Sequence, residues 1–181
     1  MLKVWIFGFI LMFFVSCNNP STPVKSVDST PFFDVKGFFQ TEIRQLTEGG
    51  VRIQKTITVG DKSETKVIEK ADFTQELSLF TASDINKPAL HDKYRVEKTS
   101  GKSLESFIAI DDDVKTKRVD VFRFPPNGVQ QVMIFNNDKS VLSESGQSLK
   151  YLVGKGFTIE TLQKFTGADS SKLKIDVVFL K

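Results

Sequence analysis

The sequence predicts an α+β fold in which two N-terminal helices pack on a strongly curved antiparallel sheet, or open barrel, of about nine strands. Three observations support this class. An apolar stripe with helical spacing follows Pro31, alternating apolar and polar residues begin at Val51, and short turns rich in Gly, Pro and Asp then separate successive strand patterns. Short turns between neighbouring strands require antiparallel pairing. A sheet with one dry face needs helices, or its own curvature, to cover that face.

Two stretches are predicted to be helical. The first, Pro31 to Glu48, has Thr30 as a cap and Pro31 at its first position, where the missing N–H costs nothing. Its apolar stripe consists of Phe32, Val35, Phe39, Ile43 and Leu46. The second begins after Asp72, which forms a capping-box-like pair with Gln75, and ends near Ile85.

The strand predictions begin with a hairpin. Val51 to Val59 alternates, so its apolar residues are predicted to be buried, and it turns at residues 60–62 into a partner at 65–69. Seven more strands are predicted at 94–99, 103–110, 114–124, 129–135, 149–153, 157–165 and 173–179. The region from Val114 to Phe135 has apolar residues on both strand faces, more than a strand with one wet face requires.

The N-terminus has the pattern of a secretory signal. Lys3 supplies the positive charge, Val4 to Val15 is almost wholly apolar, and the small residue Ser16 precedes Cys17. The apolar run is too short for a membrane span, which needs ~20 residues. Cys17 is the only cysteine, so the chain cannot form an intramolecular disulfide.

Ser16 and Cys17 resemble the end of a bacterial lipobox, and the Phe-rich run before them resembles small lipoproteins of the Bacteroidetes type. Phe14 stands where Leu is usual. The resemblance implies cleavage before Cys17, diacylglycerol on its thiol and a further acyl chain, such as palmitate, on its new amino group. Two or three acyl chains hold a protein firmly on a membrane.

The domain organisation follows from this boundary. Residues 1–16 are a signal peptide, 17–30 a lipidated tether without aromatic residues, and 31–181 a single domain. Because Asn18 follows the cysteine and no acidic cluster precedes Asp28, the resemblance implies the periplasmic side of the outer membrane.

Composition argues against nucleic acid as a partner. The full chain has 25 basic and 22 acidic residues, and loss of Lys3 with the signal makes the balance still closer. Lys115, Lys117, Arg118 and Arg123 lie on one strand beside Phe122 and Phe124, but a solvated strand face explains them better than nucleic-acid binding.

No catalytic residue, metal ligand or cofactor site is predicted. The run Asp111-Asp112-Asp113 could ligate calcium, but no internal Gly or distal Glu follows, and a solvated turn is the better interpretation. His91, the only histidine, lies beside Asp92 in a loop without a nucleophile motif. Residues 154–156 are too short for a phosphate loop and lie between strands.

Three functional hypotheses remain. The first is a non-enzymatic, lipid-anchored envelope module that binds a hydrophobic ligand, a peptide or a partner protein. Its outline resembles the open-barrel lipoprotein carriers of the LolA and LolB class, in which a curved sheet encloses an apolar cavity. The second is a structural or assembly accessory of an outer-membrane complex, which would expose an apolar patch. The third is a hydrolase with an unrecognised carboxylate pair in a polar cleft.

Overall fold

In the part of the chain that the structure describes, nine antiparallel strands pair edge to edge in one sheet that does not close into a barrel. The structure is a computed structural model that describes residues 32–99, 103–167 and 169–180. The strands are β1 (Arg52–Val59), β2 (Lys62–Ile68), β3 (Tyr94–Lys98), β4 (Leu104–Ala109), β5 (Thr116–Arg123), β6 (Val129–Lys139), β7 (Ser143–Leu152), β8 (Gly156–Phe165) and β9 (Ser171–Leu180). Their order is β2-β1-β9-β8-β7-β6-β5-β4-β3, so the predicted nine-stranded open sheet is confirmed.

The helical segments are shorter than predicted. Helix α1 spans Val35–Glu48 and begins after Asp34, whose carboxylate accepts a hydrogen bond from the backbone N–H of Gly37 at 2.8 Å. The predicted start at Pro31 with Thr30 as cap is therefore wrong, because Asp34 is the better cap; Thr30 and Pro31 themselves lie outside the described residues.

The second predicted helix is two short pieces. Asp72 caps the first piece as predicted, since its side chain accepts from the N–H groups of Thr74 and Gln75. Helix α2 (Phe73–Glu76) and helix α3 (Ser78–Ala82) follow, and Leu77 separates them. A 3₁₀ turn covers Pro88–Leu90. Because α2 and α3 come after the β1–β2 hairpin, the description of both helices as N-terminal is wrong.

One face of the sheet, here called the helix face, packs against α1, α2 and α3. Phe39 of α1 lies with its ring centroid 4.8 Å from that of Phe80 of α3 and 5.2 Å from that of Tyr151 of β7. Phe157 and Phe179 extend the same aromatic cluster onto β8 and β9. Buried residues of all three helices belong to one continuous core with the strands. The opposite face is called the outer face.

Pairing register assigns each strand residue to a face. On β6, Val132 and Ile134 are fully buried on the helix face, whereas Met133 and Phe135 between them point to the outer face and are only partly buried. This explains the apolar residues on both faces of the stretch from 114 to 135. The helix-face members complete the core, and the outer-face members remain accessible.

The prediction for β1 is wrong at its C-terminal end. Ile53 is fully buried, but Ile57 and Val59 are 39% and 54% exposed. The alternation is correct, and all three lie on the helix face by register with β9. The buried helix residues cluster over the other half of the sheet. Alternation therefore shows which face a strand residue lies on, but it does not show whether a helix covers that residue.

The β1–β2, β6–β7 and β8–β9 turns lie at the same end of the sheet, here called the lower end. Strands β6 and β7 are longer there than predicted, because the polar residues after Phe135 and before Leu149 continue the ladder to the pair Lys139–Glu144.

The predicted signal peptide and tether, including Cys17, lie outside the described residues. Within the described part of the chain, no helix has the length and apolarity of a membrane span.

Candidate functional site

A groove lies on the outer face near the lower end of the sheet and has a volume of about 490 Å³. Its lining is mostly apolar and comes from β6, β7 and β8, with Phe135 and Leu162 as the large apolar side chains. Lys117, Glu160 and Lys172 lie at its polar rim. A smaller concavity of about 150 Å³ continues it past Gly146 toward Lys164. The volume falls in the range of pockets that bind small ligands.

Gly146 forms the floor of the groove. It pairs with Asn137 on one side and with Leu162 on the other, so its missing side chain would point outward between them. A Cβ atom built there meets no other atom within 4 Å, and its backbone is not in the left-handed region. Neither a turn nor a close approach therefore requires glycine at this position. Because glycine has no side chain, this position leaves the groove open.

Asn137 offers an acceptor beside the groove. Its side-chain NH₂ group donates to Glu144 Oε1 at 3.3 Å, while its buried Oδ1 has no partner among the described residues. An unpaired buried acceptor costs about 1–3 kcal/mol. Oδ1 of Asn137 is thus an unsatisfied acceptor beside the groove, which a ligand's donor group would reach once a neighbouring side chain moves aside.

Two further buried acceptors lie on the other side of the same strands. Asn136 donates its side-chain NH₂ to Ser83 Oγ at 2.9 Å, but its Oδ1 and the Oε1 of Gln147 have no partner among the described residues. Asn136 and Gln147 are cross-strand neighbours on the helix face, below the aromatic core. They mark the level at which the core ends and the polar lower end begins.

A polar cleft of about 510 Å³ adjoins the groove at the lower end. Two of its acidic side chains have partners: Asp138 pairs with Lys115 at 3.8 Å, and Glu144 accepts from Asn137. The backbone oxygen of Asp112 accepts from Lys117 Nζ. These contacts make the cleft a network of charges of both signs.

The predicted turn at Asp111-Asp112-Asp113 is present between β4 and β5. The Asp111 carboxylate accepts from Lys93 Nζ at 2.6 Å and from the backbone N–H of Asp113 at 2.8 Å. The hydrogen bond from Lys93 and that from Asp113 hold the pKa of Asp111 below its usual value. These oxygens are already engaged, and within residues 32–99, 103–167 and 169–180 no three His, Cys, Asp or Glu side chains are placed to hold a metal ion.

His91 and the glycine pair at 154 and 156 have simple structural roles. His91 is exposed and ends the 3₁₀ turn, so the structure does not bring it to the groove. Gly154 has a φ of +67° in the β7–β8 turn, as a tight hairpin requires.

The basic residues of β5 are separated by their partners. Arg118 donates to the buried carboxylate of Asp120 at 2.7 Å on the outer face. Arg123 donates to Glu105 and lies over the ring of Phe33 at 5.4 Å. Partial burial alone would raise the pKa of Glu105, but hydrogen bonds from Lys98 and Arg123 bring it below its usual value. The strand therefore has paired charges instead of a continuous basic surface.

The space between helices and sheet is filled by side chains. The rings of Phe39, Phe80 and Tyr151 are in mutual contact where an enclosed cavity would have to lie. From the apolar residues between 114 and 135, Phe135 lines the groove on the opposite face. Sequence reasoning missed its key residues Asn137, Gly146 and Leu162. The available signals were Phe135, out of phase with the core, and an isolated glycine in a strand pattern.

Comparison with known proteins gives no match: no family model, no curated protein and no solved structure is significantly similar to this chain.

Proposed function

We propose that this chain is a lipid-anchored, non-catalytic binding module of the bacterial cell envelope that holds an apolar ligand in the outer-face groove. The observation that carries the proposal is the groove itself, with an apolar lining, a glycine floor and an unsatisfied acceptor on Asn137. Such a combination fits a ligand with an apolar body and one donor group, for example an acyl chain with an amide or hydroxyl end.

The anchor is the second part of the proposal. The supporting observation is the lipobox-like sequence that ends in Ser16 and Cys17. Acylation of Cys17 holds the module at the outer membrane on its periplasmic side. Acyl chains and exported apolar peptides are present there as ligands for the groove. The polar and charged rim of the groove suits such a site, because the ligand's polar end can stay in water.

The architecture in this proposal is a strongly curved sheet. A groove in the middle of a sheet face needs the neighbouring strands to bend around it, and the long strands β6 to β9 can do so through their twist. Ser106 and Asp120 lie on the outer face and are each only 4% exposed. A curved sheet would account for this burial.

An open groove also suits an assembly accessory, the second candidate, because the apolar strip of a partner protein could lie in it. The rim is the feature that favours this candidate, since interfaces between proteins commonly have an apolar centre with a polar surround. The two candidates differ in what fills the groove and can be separated by one ligand-binding experiment.

The groove is tested by filling it. We expect Gly146→Phe to lower binding of the apolar dye N-phenylnaphthylamine at least about tenfold, a change of ~1.4 kcal/mol. The same variant should be no less stable than the wild type, because glycine inside a strand costs about 0.5–1 kcal/mol relative to alanine. Dye titration and chemical denaturation give the two measurements, and native mass spectrometry shows whether lipid co-purifies.

Gln54→Phe is the matched control. It places the same side chain on the outer face of β1, three strands away from β7. This variant should bind dye like the wild type. Equal dye binding by the two variants would refute the groove, and co-purification of a protein in place of lipid would favour the assembly accessory.

The anchor is tested by metabolic labelling with an alkyne fatty acid. We expect labelling of the wild type and none of Cys17→Ser, because the resemblance places every acyl chain on residue 17. The groove variant Gly146→Phe should be labelled normally. Equal labelling of wild type and Cys17→Ser would remove the anchor from the proposal while leaving the groove untouched.

A further inference from the structure

The β6–β7 turn exposes two large aliphatic side chains at its tip. Val141 is 92% and Leu142 is 73% exposed, the highest values among the large apolar residues that the structure describes. Phe165, at the end of β8, is 48% exposed and pairs with Ser143 directly after the tip. A hydrogen bond from Thr166 N–H to the Leu142 carbonyl at 3.0 Å joins the two segments. Together Val141, Leu142 and Phe165 are called the apolar tip.

The turn itself does not require these residues. Ser140 N–H donates to the Ser143 carbonyl at 2.8 Å, and Ser143 N–H donates to Ser140 Oγ at 3.1 Å. The two serines therefore close the turn. Turn centres are usually Gly, Asn, Asp or other polar residues, which tolerate water and turn dihedrals best. An aliphatic pair at this position has no role in the fold that the contacts reveal.

The described chain begins near the β3 edge of the sheet, with Phe32 beside Tyr94 at the lower end of β3 and Phe33 under Arg123 at the upper end of β5. The Phe32 ring packs at 5.7 Å from that of Tyr94, whose hydroxyl donates to the Thr116 carbonyl. Thr116 pairs with Asn136, three residues before the end of β6. Between Cys17 and Phe32 the chain can span at most about 50 Å. An anchor at Cys17 therefore lets either end of the sheet reach the bilayer surface, and the apolar tip is the feature that favours the lower end.

The charges beside the apolar tip suit a lipid surface. Lys139 and Lys164 flank Glu144 in register on the outer face, so this row of three strands has two cations and one anion, while Asp112 and Asp113 lie in the adjoining cleft. Asp138, the remaining acid of β6, is paired with Lys115. Lysine chains at an apolar–polar boundary keep their ammonium groups at the headgroups while their methylene stems cover apolar surface.

We propose that the apolar tip inserts into the headgroup region of the bilayer that carries the anchor, which orients the module with its lower end on the membrane. The inference rests on the proposed anchor. It names a lipid surface as the occupant of the tip, and it places the adjoining groove close to that surface. Insertion needs no conformational change, because the aliphatic side chains are already exposed.

Tryptophan fluorescence of the full-length protein, purified after its native processing and reconstituted in vesicles, tests the orientation. Trp5, the only tryptophan, lies in the signal, so a tryptophan introduced elsewhere is the only one in the mature chain. The vesicles contain phosphatidylethanolamine, phosphatidylglycerol and a bromine-labelled lipid as quencher. We expect Leu142→Trp to be quenched several-fold more than Asn127→Trp, which lies in the exposed β5–β6 turn at the opposite end of the sheet. Val141→Asp in the Leu142→Trp background should abolish most of that quenching.

Equal quenching of the two tryptophans, or quenching that Val141→Asp leaves unchanged, overturns the inference. Shielding of Leu142→Trp only after envelope proteins are added also overturns it, in favour of a protein partner. The mass of the purified chain reports on the anchor separately. If the mass shows no acyl chains, the anchor fails, and the tip is then tested on the unanchored chain with added vesicles, where an unchanged Leu142→Trp spectrum overturns it too.

Discussion

Phe39→Ala is expected to lower the free energy of unfolding by about 3–5 kcal/mol, the usual cost of removing a fully buried phenylalanine. Phe39 is completely inaccessible to solvent and contacts rings from α1, α3 and β7. Truncation leaves a cavity where the helix layer meets the sheet. Because a domain of this size is stable by roughly 5–15 kcal/mol, the variant should lose a large part of its stability.

Urea denaturation followed by circular dichroism gives the measurement. Phe124→Ala is the matched control, because Phe124 is exposed and its loss should change stability by no more than about 0.5 kcal/mol. If Phe39→Ala costs as little as Phe124→Ala, the helices do not pack on the sheet as described.

Tyr151→Phe is expected to cost about 2–3 kcal/mol, because it leaves a buried carboxylate without its hydrogen bond. The Tyr151 hydroxyl donates to Glu42 Oε2 at 2.6 Å, and Glu42 is only 9% exposed on α1. Tyr94→Phe is the matched control. Its hydroxyl donates to a neutral carbonyl, that of Thr116, so its loss should cost about 1 kcal/mol. Equal costs for the two variants would contradict a charged acceptor at Tyr151.

The same pair predicts a dependence on alkaline pH. Burial, with the hydrogen bond to Glu42 and the negative charge of that residue, raises the pKa of Tyr151 far above its usual value of about 10. Burial raises the pKa of Tyr94 to about 12. The folded chain thus keeps protons that the unfolded chain loses, so stability is complete below about pH 10 and falls as the pH rises above it. Tyr151→Phe should make this fall shallower in a series of denaturation curves.

The general outline of the fold is predictable from sequence because turns and alternation are local signals. The β1–β2 and β7–β8 hairpins were predicted at their glycine-containing turns, Gly60 and Gly154, which both have positive φ. The first half of β7 was missed because Ser143 to Ser148 has no apolar alternation. Its strand state comes from pairing with β6 and β8 on both sides, which a local pattern does not contain.

The groove could not be predicted for a related reason. Phe135, Gly146 and Leu162 are far apart in sequence and become neighbours only through the registers of two strand pairs. A shift of one residue would send Gly146 to the helix face and close the groove. The exposed pair Val141 and Leu142 was visible in the sequence, but its position at a turn became clear only once β6 and β7 had been seen to extend past Phe135 and Leu149.

The place of β1 in the sheet has a consequence for the order in which the chain can mature. Among the described strands, β1 joins those beyond its hairpin through β9, and Ile53 pairs with Phe179. Before β9 is in place, the β1–β2 hairpin can contact α2, through Lys55 and Glu76, but it has no strand neighbour in the rest of the sheet. Pairing of β9 with both β1 and β8 is therefore the step that unites the two parts of the sheet.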